Sequence, residues 1–299
     1  MKNLIISMLA VAAMVSCTSE NDPIDEINPT GNNKVEIKLT AGVIGVETRA
    51  ALLAWDNSQV KYAVKQNAES SYEDWYSTIT GTTVTFTGND FSTGATHYYN
   101  SDNSNTTLVG YYPASGTLAT NNITFEIPAD GQDDIMASAI MQGNKATNFG
   151  NIEFKHLLAK LSFKIKKGDG FTTAGNVTKI VLKGTKRSAT LSLADPTSLT
   201  FASLAAGDDI NVYEDNTGAV LGNDVSDVRT VMVQPGATMK IDVTVGGQTF
   251  SDIPVTIAGD AQKGSGYNVT LTFSGSTIST QASIAEWNNV AGDNETPVQ

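Results

Sequence analysis

One cysteine, two histidines and eight prolines are all that the 299 residues contain of these types. A single cysteine excludes any disulfide within the chain. The histidines, His97 and His156, stand far apart, and no Gly-x-Ser-x-Gly elbow accompanies them, so Ser-based nucleophilic catalysis lacks its motif. His156 lies inside an alternating run and reads as a packed side chain hydrogen-bonded to a neighbour. No Gly-x-x-x-x-Gly-Lys-Ser/Thr loop occurs, which leaves phosphate binding unsupported. Basic residues are scarce: 19 Lys and Arg face 31 Asp and Glu, for a net charge of −12. That balance excludes nucleic acid as the principal partner, because a phosphate backbone requires a basic footprint. The expectation is no enzyme and no cofactor, with paired carboxylates for glycoside hydrolysis left open, since their separation is a property of the fold.

What the chain does hold is Thr, Ser, Asn and Gly, a composition of strands and turns. A hydrophobic content of 40% with 17% charged residues fits a globular protein with a polar surface. The length suits two domains.

The N-terminus accounts for the lone cysteine. Met1-Lys2-Asn3 is a short basic start, and Leu4 to Val15 is apolar but too short to span a bilayer. Ser16-Cys17 follows. This arrangement resembles a bacterial lipoprotein signal over residues 1–17, in which Cys17 carries the lipid and holds the precursor to the outer membrane. Met14, where leucine is commonest, departs from that pattern, and a plain secretory signal is the other reading. Thr18 to Pro29 is polar and acidic and reads as a tether.

Val35 to Ala50 reads VEIKLTAGVIGVETRA. Val35, Ile37 and Leu39 alternate with Glu36 and Lys38, the pattern of a half-buried strand. A run of small and apolar residues then leads to Arg49-Ala50. An Arg in an exposed segment is an easy site for an Arg-specific protease. A cut there would free the strand and expose a groove and an unpaired edge. An ordinary first strand followed by a loop fits the same residues, and they leave both readings open. Residues 18–49 are accordingly grouped as tether and removable first strand.

Beyond Ala50, Ser71 to Ile79 has the spacing of a helical turn or two, with Tyr72, Trp75, Tyr76 and Ile79 on one face. The rest reads as short strands between turn residues, among them Leu108–Tyr112, Ile123–Ile127, Ala189–Leu193 and Tyr267–Phe273. Asn148-Phe149-Gly150-Asn151 looks like a junction, giving domains 50–150 and 151–299. In Phe154–Lys167 the apolar parity switches, so a bulge or a change of sheet is expected near Leu158. Ile278, Thr280, Ala282 and Ile284 form a thin alternating strand, either a donor for a neighbour or the last strand of its own sandwich.

Three charged regions stand out. Asp130 to Asp134 lacks the spacing of a calcium loop and reads as a solvated turn. Asp208-Asp209, Glu214-Asp215, Asp224 and Asp227 read as an acidic loop. Between Lys155 and Arg187 nine basic residues face Asp169 alone, a local charge of +9 − 1 = +8. Lys160, Lys164, Lys166 and Lys167 within it are candidates for docking an acidic neighbouring subunit. A solvated strand face with lysines guarding an edge is the plainer account.

Taken in order, the Cys17 signal, Glu47-Thr48-Arg49-Ala50, Tyr111-Tyr112-Pro113, Asp134-Ile135-Met136, Phe154-Lys-His-Leu-Leu-Ala-Lys-Leu161 and Gly266-Tyr-Asn-Val-Thr-Leu-Thr-Phe273 through Trp287 resemble the fimbrillins of Bacteroidales fimbriae. The resemblance implies an all-β chain of two tandem transthyretin-like β-sandwich domains. It also implies export as a lipoprotein, cleavage after an Arg and polymerisation with other fimbrillin subunits by strand exchange. Arg49 matches the cleavage position, and no active site carries over. The other function compatible with the sequence is a solitary surface lipoprotein adhesin that binds glycan or host protein without polymerising; an exported hydrolase stands well behind both.

Overall fold

The structure, a computed structural model, describes residues 34–44, 58–66, 69, 71–88, 94–285 and 287. Within them the chain is all-β, with twenty strands and no helix. The first half contributes β1 (Thr40–Ile44), β2 (Ser58–Gln66), β3 (Glu73–Thr80), β4 (Thr83–Gly88), β5 (Thr106–Tyr112), β6 (Thr117–Ala119), β7 (Asn122–Glu126), β8 (Met136–Ser138), β9 (Met141–Gly143) and β10 (Asn151–His156). The second contributes β11 (Ala159–Lys167), β12 (Val177–Lys183), β13 (Ser188–Ser192), β14 (Asp195–Phe201), β15 (Ile210–Ala219), β16 (Ser226–Val233), β17 (Met239–Val245), β18 (Gln248–Val255), β19 (Gly266–Ser274) and β20 (Thr277–Ala285).

The first sheet runs β2-β3-β4-β1-β10-β8-β5-β9, and β2 pairs with β5 as well. The pairings therefore return to their start, and the sheet wraps around its own core of Ile37, Leu39, Val60, Tyr62, Trp75, Ile79, Phe86 and Phe154. Its pairings are antiparallel except for β1 with β10, which run parallel from Thr40↔Asn151 to Ile44↔Lys155. The helical turns expected over Ser71–Ile79 are instead strand β3. Trp75, Ser77 and Ile79 are buried in strict alternation, so a period of two prevails over the helical spacing of Tyr72, Trp75, Tyr76 and Ile79.

Two four-stranded sheets, all from the second half, form a sandwich: β16-β11-β19-β20 faces β15-β12-β17-β18 across one core. Leu161, Phe163 and Ile165 of β11 meet Val269, Leu271 and Phe273 of β19 in its core. β20 pairs with β19 in unbroken register from Gly266↔Ala285 to Ser274↔Thr277, so it is the last strand of this sandwich. Glu214-Asp215 and Asp227, expected in a loop, lie on β15 and β16.

A fourth sheet, β14-β13-β7-β6, draws two strands from each half. Its contact with the first sheet explains a burial pattern that alternation alone does not. On β5, Leu108 points into the first core while Val109 and Tyr111 pack beneath Ile123, Phe125, Ala189 and Leu191. Both faces of β5 are therefore covered, as its continuous apolar run requires. The expected change of sheet occurs at Leu157-Leu158, between β10 and β11. β10 begins at Asn151 and completes the first sheet, so that sheet extends past the junction expected at 150.

Candidate functional site: the first strand and its groove

Val35 to Val43 is threaded between three neighbours. The Ile37 N–H donates to the His97 carbonyl at 2.8 Å, and the Tyr99 N–H to the Val35 carbonyl at 3.0 Å. The chain then moves across to β4, where Ala41 N–H reaches Thr82 O at 2.8 Å and Val84 N–H reaches Leu39 O at 3.2 Å. Parallel pairing with β10 completes the opposite edge, supported by the Thr40 hydroxyl donating to Asn151 Oδ1 at 2.9 Å.

Alternate side chains enter the core. Ile37, Leu39, Ala41 and Val43 are 2, 4, 1 and 2% exposed, while Val35 is half-buried against the same cluster. The sequence singled out Val35, Ile37 and Leu39, and the structure brings all three to this core. It adds Ala41 and Val43, whose small, Gly-interrupted run disguised the continuing alternation. On the outer face, Lys38 and Glu36 form an exposed pair at 3.5 Å, a geometry that contributes little to stability.

The partner loop is held by aromatic packing. The His97 ring stacks on Trp75 with centroids 3.7 Å apart and meets the Phe86 edge at 4.9 Å. The Trp75 indole N–H donates to Glu73 at 2.7 Å. The His97 Nε2 is buried with no hydrogen-bond partner. Burial lowers the pKa of His97, and the Glu73 carboxylate pulls it upward without cancelling that effect.

Cys17, Arg49 and Ala50 lie outside the described residues. The four candidate docking lysines sit on β11, a central strand, so edge protection does not account for them. Lys164 pairs with Asp227 at 3.0 Å, and the Lys160 ammonium lies 6.0 Å from the Trp287 ring centroid. Elsewhere in the basic window, Lys179 pairs with Glu214 at 2.9 Å and Lys183 with Asp242 at 2.7 Å. Much of the local charge is thus met within the chain, and of the four docking candidates Lys166 and Lys167 are the exposed ones.

His156 is bonded through Nδ1 to Asp134 and packed against Trp287, the structural role expected of it. One polar cluster escaped the sequence altogether. Lys61, 9% exposed, reaches Asp74 at 3.4 Å and the Gly116 carbonyl at 3.2 Å, and the Tyr111 hydroxyl donates to Asp74 at 2.6 Å. Burial, then the hydrogen bond to Asp74, push the Tyr111 phenol well above its ordinary range. The one available signal was a lysine in the otherwise apolar run Val60–Val64.

The fold has solved counterparts. A candidate cell adhesion protein from Bacteroides uniformis superposes with a TM-score of 0.61 at 22% identity, covering 85% of this chain and 98% of its own. One from Bacteroides ovatus gives 0.63 at 18% identity, over 87% and 99%. One from Parabacteroides distasonis gives 0.57 at 12% identity, over 86% and 98%. No curated protein sequence matches. The fimbrillin-like family profile matches residues 48–287, most of the chain's length. The chain belongs to the fimbrillin-like family.

Proposed function

We propose that the protein is a structural subunit of surface fimbriae that contributes to cell adhesion. In this reading it is exported as an outer-membrane lipoprotein through Cys17, cut after Arg49 by an Arg-specific protease, and joined to other fimbrillin subunits by strand exchange. The observation that carries the reading is the placement of Val35–Val43. This segment fills the first core and is bonded at both edges, yet it stands at the start of the described chain, a few residues before Arg49. Its loss would leave unpaired edges on β4 and β10 above an apolar groove.

The energetics require a cut and a replacement. Burying three side chains the size of Val, Ile and Leu stabilises by about 5–9 kcal/mol as an upper estimate. That is comparable with the whole net stability of a domain, so the strand does not leave an uncut chain. After cleavage it is no longer held at the high effective concentration of a tethered segment, and a neighbour's strand can compete for the groove. Because β20 is paired with β19 along its whole length as the edge strand of its own sandwich, it is not a free donor, which suits a tip-like place in the fibre.

Intact mass of the subunit taken from assembled fimbriae tests the maturation step. A chain beginning at Ala50 is expected; one still beginning near Cys17 would mark an anchor or a solitary lipoprotein adhesin. Strand exchange is tested by cleaving purified precursor and offering it to growing fibres of a partner fimbrillin. Incorporation is expected, and a synthetic Val35–Val43 peptide should block it. Cleaved protein that neither polymerises nor joins a fibre would leave the solitary adhesin as the function.

A further inference from the structure

A cavity of about 390 Å³ opens where β8, β10, β14 and the Lys263-Gly264 turn meet. It borders β10 at the end of its pairing with the first strand, where Lys155 is in register with Ile44, and is lined by none of the core residues that strand packs against; it has the dimensions of a small-molecule site. Ala137, Ala139, Leu157 and Pro196 make its lining mainly apolar, and the short side chains of β8 leave the space unfilled.

The charged groups of the lining are both lysines. Lys155 and Lys263 are exposed, and neither has a carboxylate partner among the described residues. This is unusual in a chain of net charge −12, where Lys61, Lys164, Lys179 and Lys183 each face an acid. The Lys263 ammonium donates to the Thr197 carbonyl at 2.5 Å, a neutral acceptor that leaves the charge uncompensated. The remaining polar groups are already engaged. Ser138 accepts from the Gly110 N–H and donates to the Ala139 carbonyl, and His156 is bonded to Asp134. The cavity therefore combines an apolar interior with two cations and no acid. Apart from the occupied His156 ring it has no aromatic lining on which a sugar could stack.

We propose that this cavity binds an apolar carboxylate, with the hydrocarbon inside and the carboxylate against Lys155 and Lys263. A free fatty acid and the C-terminal residue of a peptide share this chemistry. The assay is calorimetric titration of the full-length protein with octanoate, octanamide, acetyl-Gly-Gly-Leu and the same peptide amidated. One or both acids should bind, and each neutral amide should bind roughly tenfold more weakly or not at all. Binding by octanoate alone assigns a free acid, and binding by the peptide alone assigns a chain terminus. Lys155→Ala and Lys263→Ala should each weaken binding roughly tenfold, and salt should weaken binding to the unaltered protein. Both are surface positions, so the melting temperature should hold. Ala139→Phe, at another exposed position, should block the cavity without unfolding the protein. Equal affinity for acid and amide, binding that survives the double lysine variant or Ala139→Phe, or no binding by either acid would overturn the proposal.

Discussion

His97 joins two properties that are seldom combined: its carbonyl holds the first strand while its imidazole is packed, partnerless at Nε2, between Trp75 and Phe86. Its pKa in the folded protein lies below its unfolded value, so the folded form binds fewer protons. The stability this confers is complete above a pH of about 6.5 and is lost as pH falls through the folded pKa. Between pH 7 and pH 5 the protection factor of the Ile37 amide, taken relative to its intrinsic exchange rate at each pH, should therefore fall. His97→Phe, which keeps the stack, should flatten that dependence; an identical slope in the variant would remove His97 from the account. Gly110 is constrained differently, because a Cβ there would stand 2.5 Å from Phe154 Cζ and 2.9 Å from Tyr62 Cε1. Gly110→Ala should cost about 1–3 kcal/mol, read from the urea midpoint. Neither constraint was legible in the sequence, since both depend on which rings the fold brings alongside. The pairing of His156 with a neighbour was legible, because its place in an alternating run already argued for packing.

Strands differ in how plainly their side chains announce them. β19 alternates cleanly over Tyr267, Val269, Leu271 and Phe273, and the parity break before β11 marked the change of sheet at Leu157-Leu158. The aromatic and apolar residues of β3 also satisfy a helical spacing, and only pairing with β2 and β4 selects between the two. The first strand was recognised over Val35–Leu39 but not through Ala41 and Val43, since Ala and Gly carry little hydrophobic signal of their own. Its energetics are tested by ordinary substitutions in the uncut precursor. Leu39→Ala and Ile37→Ala should each destabilise by about 2–5 kcal/mol, because each leaves a gap in a closed core. Glu36→Ala should stay within about 0.5 kcal/mol, because its pair with Lys38 is exposed. Urea unfolding of the three variants gives the ranking.

The fourth sheet, β14-β13-β7-β6, ties the two halves together. Ala189↔Phe125 and Leu191↔Ile123 join strands more than sixty positions apart, a pairing that no local pattern encodes. A division at 150 was drawn from the Asn148–Asn151 turn, but the packing beneath this sheet is shared by residues from both sides of it. Far-UV circular dichroism and tryptophan fluorescence should accordingly report one coincident thermal transition, and Leu191→Ala should lower it by both probes. Two separated transitions would mean that the halves unfold independently. The basic window also reads differently once folded: with Lys164 already matched by Asp227, charge reversal at Lys166 and Lys167 should slow assembly more than reversal at Lys164. Equal or absent effects would return these lysines to a solvated face.

The same sheet bears on mechanics. Two bodies linked by a single strand of chain at Leu157-Leu158 would swing about that link like a hinge. The β13–β7 ladder adds a second load path beside it and braces the link against bending. In a fibre joined by the proposed strand exchange, each subunit would therefore act as one stiff segment, and bending would fall to the joints.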